Sequence, residues 1–219
     1  EPTTGLHMAD VEVLMKILRE LVSHGHSIVM VEHHLDVIAA ADWVLDLGPE
    51  AGADGGHIVY AGHPEGLPSV DSSETGRCLG DLMTERSRDR AKVKVKGSKL
   101  SKNKETSMTL RGGRENNLKD VNVKIPRDNL VVVTGPSGSG KSTLAFDIVF
   151  AEGQRRYLES LSPYARQYVG NRNRADIDEV AGVPPTIAIE QRTTRGGVNS
   201  TVSTMTEIHH YVRLLFSKC

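Results

Sequence analysis

The sequence is poor in cysteine, has no long apolar run and carries almost no net charge. Cys78 and Cys219 are isolated from one another, too few for a disulfide framework and wrongly spaced for a zinc site. No apolar stretch approaches the about 20 residues of a membrane-spanning helix, and no signal-peptide pattern is visible. A reducing, cytoplasmic setting is the expectation. There is no repeat at solenoid periods. Lys and Arg total 27 against 28 Asp and Glu, a formal net charge of -1, but the basic residues are unevenly placed. What remains is ordinary soluble composition, 38% hydrophobic and 25% charged over 219 residues, enough for one or two domains with a core.

Three segments can be read along the chain. In residues 1–83, Asp10 is placed to cap a helix with Val11, Leu14, Leu18, Leu21 and Val22 at helical spacing, and Gly25 to stop it. "SIVMVE", from Ser27 to Glu32, has the continuous apolar character of a strand buried on both faces. "DWVLDLG" and "HIVYAG" read as further strands, parted by the turn "GADGG". Residues 84–106 have almost no large apolar side chains and many Lys and Arg, which predicts a basic, flexible linker able to touch nucleic acid. In residues 107–219, "MTLRGG", "DVNVKI" and "NLVVVTG" predict strands and "KSTLAFDIVFAEG" a helix. After the Pro184-Pro185 turn, "TIAIEQ" reads as a strand and "TMTEIHHYVRLLF" as a last helix. The alternation predicts an α/β fold with a largely parallel core sheet.

The strongest chemical signal is "GPSGSGKST", Gly135 to Thr143, which fits G-x-x-x-x-G-K-[ST]. Gly135, Gly138 and Gly140 let the backbone curl so that N–H groups, with those of Ser137 and Ser139, face phosphate oxygens. Lys141 brings a mobile positive charge, Ser142 a hydroxyl for Mg²⁺, and Thr143 opens a helix whose N-terminus favours an anion. An apolar strand before the loop and a helix after it complete the context. His33, at the carboxyl end of a buried-type strand, is placed to reach a γ-phosphate, although the tandem His33-His34 leaves open which ring points inward. Glu1 is a candidate general base and Gln191, in "AIEQRTT", a candidate for Mg²⁺ and the attacking water. His209 and His210 diverge by about 100° on a helix and cannot jointly chelate one ion. Arg155, Arg156, Arg166, Arg172 and Arg174 suit either phosphate contacts or internal ion pairs.

These strings resemble a known family. "NNLKDVNVKIPRDNLVVVTGPSGSGKSTLAFDIVFAEGQRRYLESLSPYARQYV", then "PPTIAIEQRTT" and "STVSTMTEIHHYVRLLF", resemble the start of the first ATPase head of UvrA. UvrA proteins are the ABC-class ATPases that recognise DNA damage in bacterial nucleotide excision repair. "EPTTGLH" and "VEHHLDVIAAADWVLDLGPEAGADGGHIVYAGHPE" resemble the close of that family's second head. The order is reversed relative to the family, as in a window across the junction of two UvrA-type units.

The resemblance implies two P-loop ABC-type ATPase halves: 1–83 the end of one head, 84–106 a linker, and 107–219 the beginning of another. It matches Glu1 to the catalytic carboxylate after the Walker B Asp, His33 to the switch histidine, and Lys141, Ser142 and Gln191 to the Walker A and Q-loop residues. Glu1 and His33 would then serve a different nucleotide from Lys141, and the isolated segment would be inactive. ATP and Mg²⁺ are the implied cofactors. Zinc is expected in the family, with no site on this chain. Implied partners are damaged duplex DNA, a UvrB-like helicase subunit and a second copy in a homodimer. The alternatives are an ABC transporter's nucleotide-binding subunit, against which "QRRYLESLSPYARQY" argues, and a UvrA-like resistance paralogue outside repair.

Overall fold

The computed structural model describes residues 1–90, 107–159 and 175–189. Its centre is a four-stranded sheet in the order β1-β6-β2-β3, where β1 is Ile28–Val31, β2 Trp43–Gly48, β3 His57–Gly62 and β6 Leu130–Thr134. β6 runs parallel to both β1 and β2, with Val131 opposite Val29 on one side and Trp43 on the other. β3 closes the edge antiparallel to β2. The "LVVVT" of β6 is buried at all five positions, as a strand covered on both faces must be.

Alternation along β6 divides the core. Leu130 and Val132 pack with Val11, Val37, Ile38, Val44, Leu67 and Leu79 on one face of the sheet. That layer is built from α1 (Met8–Ser23), α2 (Leu35–Ala40), a short 3₁₀ segment Pro64–Ser69 and α3 (Glu74–Arg90). Val131 and Val133 face the other way, onto Leu110, Ile125, Leu144 and Ile148. This second layer holds the helix after the phosphate loop and an antiparallel sheet in the order β5-β4-β7. In that sheet β4 is Ser107–Gly113, β5 Val121–Pro126 and β7 Glu179–Ala181. At about 1.5–3 kcal/mol per fully buried aliphatic side chain, the four aliphatic residues of β6 are a large part of what joins the two layers.

Several expectations are corrected. The first and third segments, expected as pieces of separate heads, share one sheet in this structure. β6 from the third segment is the central strand between β1 and β2 of the first, and the described residues up to 188 belong to one compact unit. Parallel pairing on both sides of one apolar strand means that neither segment alone completes the central sheet. The linker does not begin at Thr84, because α3 continues to Arg90 and Arg86 ion-pairs with Asp36 at the start of α2. The rest of the linker, 91–106, lies outside the described residues, as does the last predicted helix.

At the start of α1 the cap is His7, whose Nδ1 accepts from the Ala9 N–H at 3.3 Å, and Asp10 sits inside the first turn. The helix ends as predicted, with Gly25 at φ +85°. "TIAI" is not a strand over 186–189. Pro184 and Pro185 have no N–H for a ladder, and Ile187 is 93% exposed. The strand of that region is the earlier β7, paired antiparallel to β4. Among the described residues no helix is long and apolar enough to cross a membrane.

Candidate nucleotide site

The phosphate loop leaves the carboxyl end of β6 and enters a helix that begins with wide, π-type turns over Thr143–Phe150 and continues as α4, Ala151–Glu159. Glycine is required at its ends for steric reasons. Gly135 has φ +128°, and a Cβ there would lie 1.9 Å from the Leu47 carbonyl oxygen. Gly140 has φ +100°, and its Cβ would meet Leu118 Cδ2 at 2.6 Å. Ser137 and Gly138 are exposed at the mouth, whereas Ser139 and Lys141 are buried.

Lys141 Nζ donates to the carbonyl oxygens of Gly135 at 3.0 Å and Pro136 at 2.7 Å. Burial lowers its pKa, opposed by the charges of Glu1 and Asp46. Ser142 is exposed and makes no capping bond. Its hydroxyl at the helix start, beside the positive-φ glycines of the loop, fits the first-turn ligand of a Mg²⁺-bound phosphate. No cluster of three or more His, Cys, Asp or Glu suited to a metal occurs among the described residues. Cys78 is a free, exposed thiol, and Cys219 lies outside them.

Glu1 and His33 come together at this same end of the sheet. His33 Nε2 lies 3.1 Å from Glu1 Oε1, with both side chains about half exposed, so Nε2 carries the hydrogen when the pair is hydrogen-bonded. Because β1 and β6 run parallel, the pair lies at the same end of the sheet as the phosphate loop. Of the tandem histidines, His33 meets the carboxylate, and His34 instead precedes α2 as its cap residue.

Glu32, the residue that ends the apolar run of β1, holds the arrangement. It is 2% exposed, and its Oε1 accepts from Thr3 N and Thr3 Oγ1, both at 2.7 Å. Its Oε2 accepts from the backbone N–H of His33 at 3.0 Å and His34 at 3.3 Å. Burial raises its pKa, yet the four donors outweigh that and hold it below the usual carboxylate range. One carboxylate thus ties the turn after Glu1 to the end of β1. Sequence signalled it only as a charge ending an apolar strand.

Asp46 was also missed. It lies opposite Thr134 in the β2–β6 ladder, 2% exposed, accepting from Ser73 Oγ at 2.5 Å and Thr75 Oγ1 at 3.3 Å. Burial raises its pKa against those donors and Lys141. Arg155 and Arg156 both clasp Glu152, with contacts of 2.6 and 3.0 Å, so for these two the internal ion pair is realised. Arg166, Arg172, Arg174, Gln191, His209 and His210 lie outside the described residues.

No family model matches the chain. Part of it is closely similar to curated proteins named UvrABC system protein A. The protein of Deinococcus radiodurans is 58% identical over 111 residues, covering 51% of this chain and 11% of that protein. That of Treponema pallidum is 57% identical over 112 residues, covering 51% of this chain and 12% of the relative. The chain therefore spans only about a tenth of the length of these relatives. Among solved structures, UvrA2 from Deinococcus radiodurans is 47% identical over 51% of this chain and 14% of its own, with a TM-score of 0.36. About half of this chain is thus UvrA-like sequence, within an α/β unit whose core strand pairs are parallel.

Proposed function

We propose that this chain, half of which is UvrA-like sequence, is a nucleotide-binding part of an ATP-dependent, DNA-binding protein of nucleotide excision repair. The observation that carries the reading is the phosphate loop itself. It follows a fully buried parallel strand, opens a helix, and keeps Lys141 buried within hydrogen-bond reach of its own carbonyls. With ATP bound, Lys141 would exchange those carbonyls for phosphate oxygens, the first-turn N–H groups would hold the phosphates, and Ser142 would hold Mg²⁺. Mg²⁺ supplies charge neutralisation for phosphoryl transfer. Gln191 is assigned to the same ion by its motif.

Glu1 is the proposed base for water and His33 its hydrogen-bonded neighbour toward the γ-phosphate. Hydrolysis needs a signature motif to close over the γ-phosphate, and none occurs in these 219 residues. Binding without turnover is therefore expected of this chain alone. Damaged duplex DNA, a UvrB-like helicase subunit and a second copy are the proposed partners of the larger protein, in the cytoplasm, with zinc modules outside this sequence.

Titrating a labelled ATP analogue against the chain tests the site. Lys141→Ala is expected to weaken binding by about tenfold or more, roughly 1.4 kcal/mol. Equal affinities would remove the phosphate-loop assignment. A DNA-stimulated ATPase assay and a lesion-specific incision assay on the larger protein separate repair from the transporter and resistance readings.

A further inference from the structure

Gly138 has φ +78°, and its carbonyl oxygen receives two donors from opposite parts of the chain. Asn117 Nδ2 donates to it at 2.7 Å, and the backbone N–H of Gly52 donates at 3.1 Å. Gly52 belongs to the turn after β2 and Asn117 to the loop between β4 and β5. The two supports are themselves joined, because the Lys119 N–H donates to the Gly56 carbonyl at 2.8 Å. They also touch without slack: a Cβ on Gly56 would lie 1.9 Å from the Asn117 carbonyl oxygen. Next along the same loop, Asn116 at φ +53° extends Nδ2 to Thr143 Oγ1 at 3.2 Å, on the far side of the phosphate loop.

We infer that Asn117 is a positioning residue that, with the Gly52 N–H, sets the orientation of the Gly138–Ser139 peptide and thereby the affinity of the loop for polyphosphate. In a trans peptide the C=O and the following N–H point in opposite directions. Anchoring the Gly138 carbonyl outward turns the Ser139 N–H inward, where it donates to the Pro136 carbonyl at 3.2 Å and closes the turn. Release of the carbonyl allows the exposed Ser137–Gly138 stretch to rotate and scatters the inward N–H groups on which an anion depends. Asn117 never needs to touch nucleotide. The inference rests on the phosphate-loop reading given above.

The test is calorimetric titration of the 219-residue chain with Mg-ADP and, separately, with inorganic tripolyphosphate, which reports the loop without base or ribose. Thermal unfolding of the nucleotide-free chain is recorded beside it. Asn117→Ala is expected to weaken both ligands by about three- to tenfold with little change in melting temperature, since one neutral hydrogen bond is lost. Asn117→Asp keeps the shape but turns an acceptor toward the Gly138 carbonyl, and is expected to weaken both ligands further. If Lys141→Ala abolishes binding while both Asn117 variants bind as wild type, the positioning role is overturned and the site survives. Failure of Lys141→Ala to weaken either ligand overturns the site and the inference together. Loss of folding in both Asn117 variants makes the residue structural and overturns the positioning role.

Discussion

Two buried carboxylates, Glu32 and Asp46, are displaced in opposite directions, and the difference is legible in their donors. Glu32 has four and Asp46 has two hydroxyls, so burial prevails only at Asp46. A carboxyl whose folded pKa is lowered adds stability above its unfolded pKa, and that contribution is lost as pH falls through the folded value. Glu32→Gln is therefore expected to be less stable near neutral pH by about 1–3 kcal/mol, with the gap narrowing in acid. A carboxyl whose folded pKa is raised contributes fully below its unfolded pKa and loses that contribution as pH rises through the folded value. Asp46→Asn, which can still accept from Ser73, is expected to match the wild type in acid and exceed it at neutral pH. Urea unfolding across the carboxylate range reads both curves, and parallel pH profiles would contradict the pair. Neither role is legible in the sequence, because burial and the Thr3, Ser73 and Thr75 donors come from neighbours far along the chain.

At the scale of elements, β6 is the piece on which both the core and the site depend. Leu130 is fully buried at the start of the strand that leads into the phosphate loop. Leu130→Ala is expected to lower stability by about 2–5 kcal/mol, the range for emptying a buried aliphatic site. The Arg86–Asp36 pair between α3 and α2 is partly exposed, so Arg86→Ala should shift unfolding by no more than about 1 kcal/mol. Chemical denaturation separates the two, and comparable losses would mean that α3 depends on its ion pair. The helix starts were read less well than the strands. Asp10 has capping chemistry, but the turn Thr3–Leu6 places His7 one residue before the helix and gives it the cap. β7 escaped notice because three residues carry too little pattern, and "TIAI" drew the assignment with pattern but no ladder partner among the described residues.

For the whole molecule, the decisive feature is that strands separated by about a hundred residues pair in parallel. Residues 1–90 expressed alone lack the strand between β1 and β2, and residues 107–219 alone lack both of its neighbours. Neither part is expected to unfold cooperatively, whereas mixing them should restore a single transition, followed by circular dichroism. Two independently folded halves would refute the shared sheet. Steady-state ATP turnover of the intact chain is expected at background. Turnover abolished by both Lys141→Ala and Glu1→Gln would instead identify a self-sufficient site.

The sequence by itself determined what is local: a buried-type strand, a glycine loop with Lys141 and Ser142, a helix to receive it, and the α/β alternation around them. Such features depend on residues a few positions apart, so their spacing is visible in one dimension. Tertiary structure alone decided that the two segments share a sheet, that Glu1 and His33 lie at the same end of it as Lys141, and that Asn117 and Gly52 meet at Gly138. A β-strand satisfies its backbone groups through whichever partner the rest of the chain brings beside it, and an apolar run does not encode which partner that is. The same text could have closed two separate sheets. It closed one because β6 is apolar on both faces and is buried only when strands lie on both sides of it and layers cover both faces.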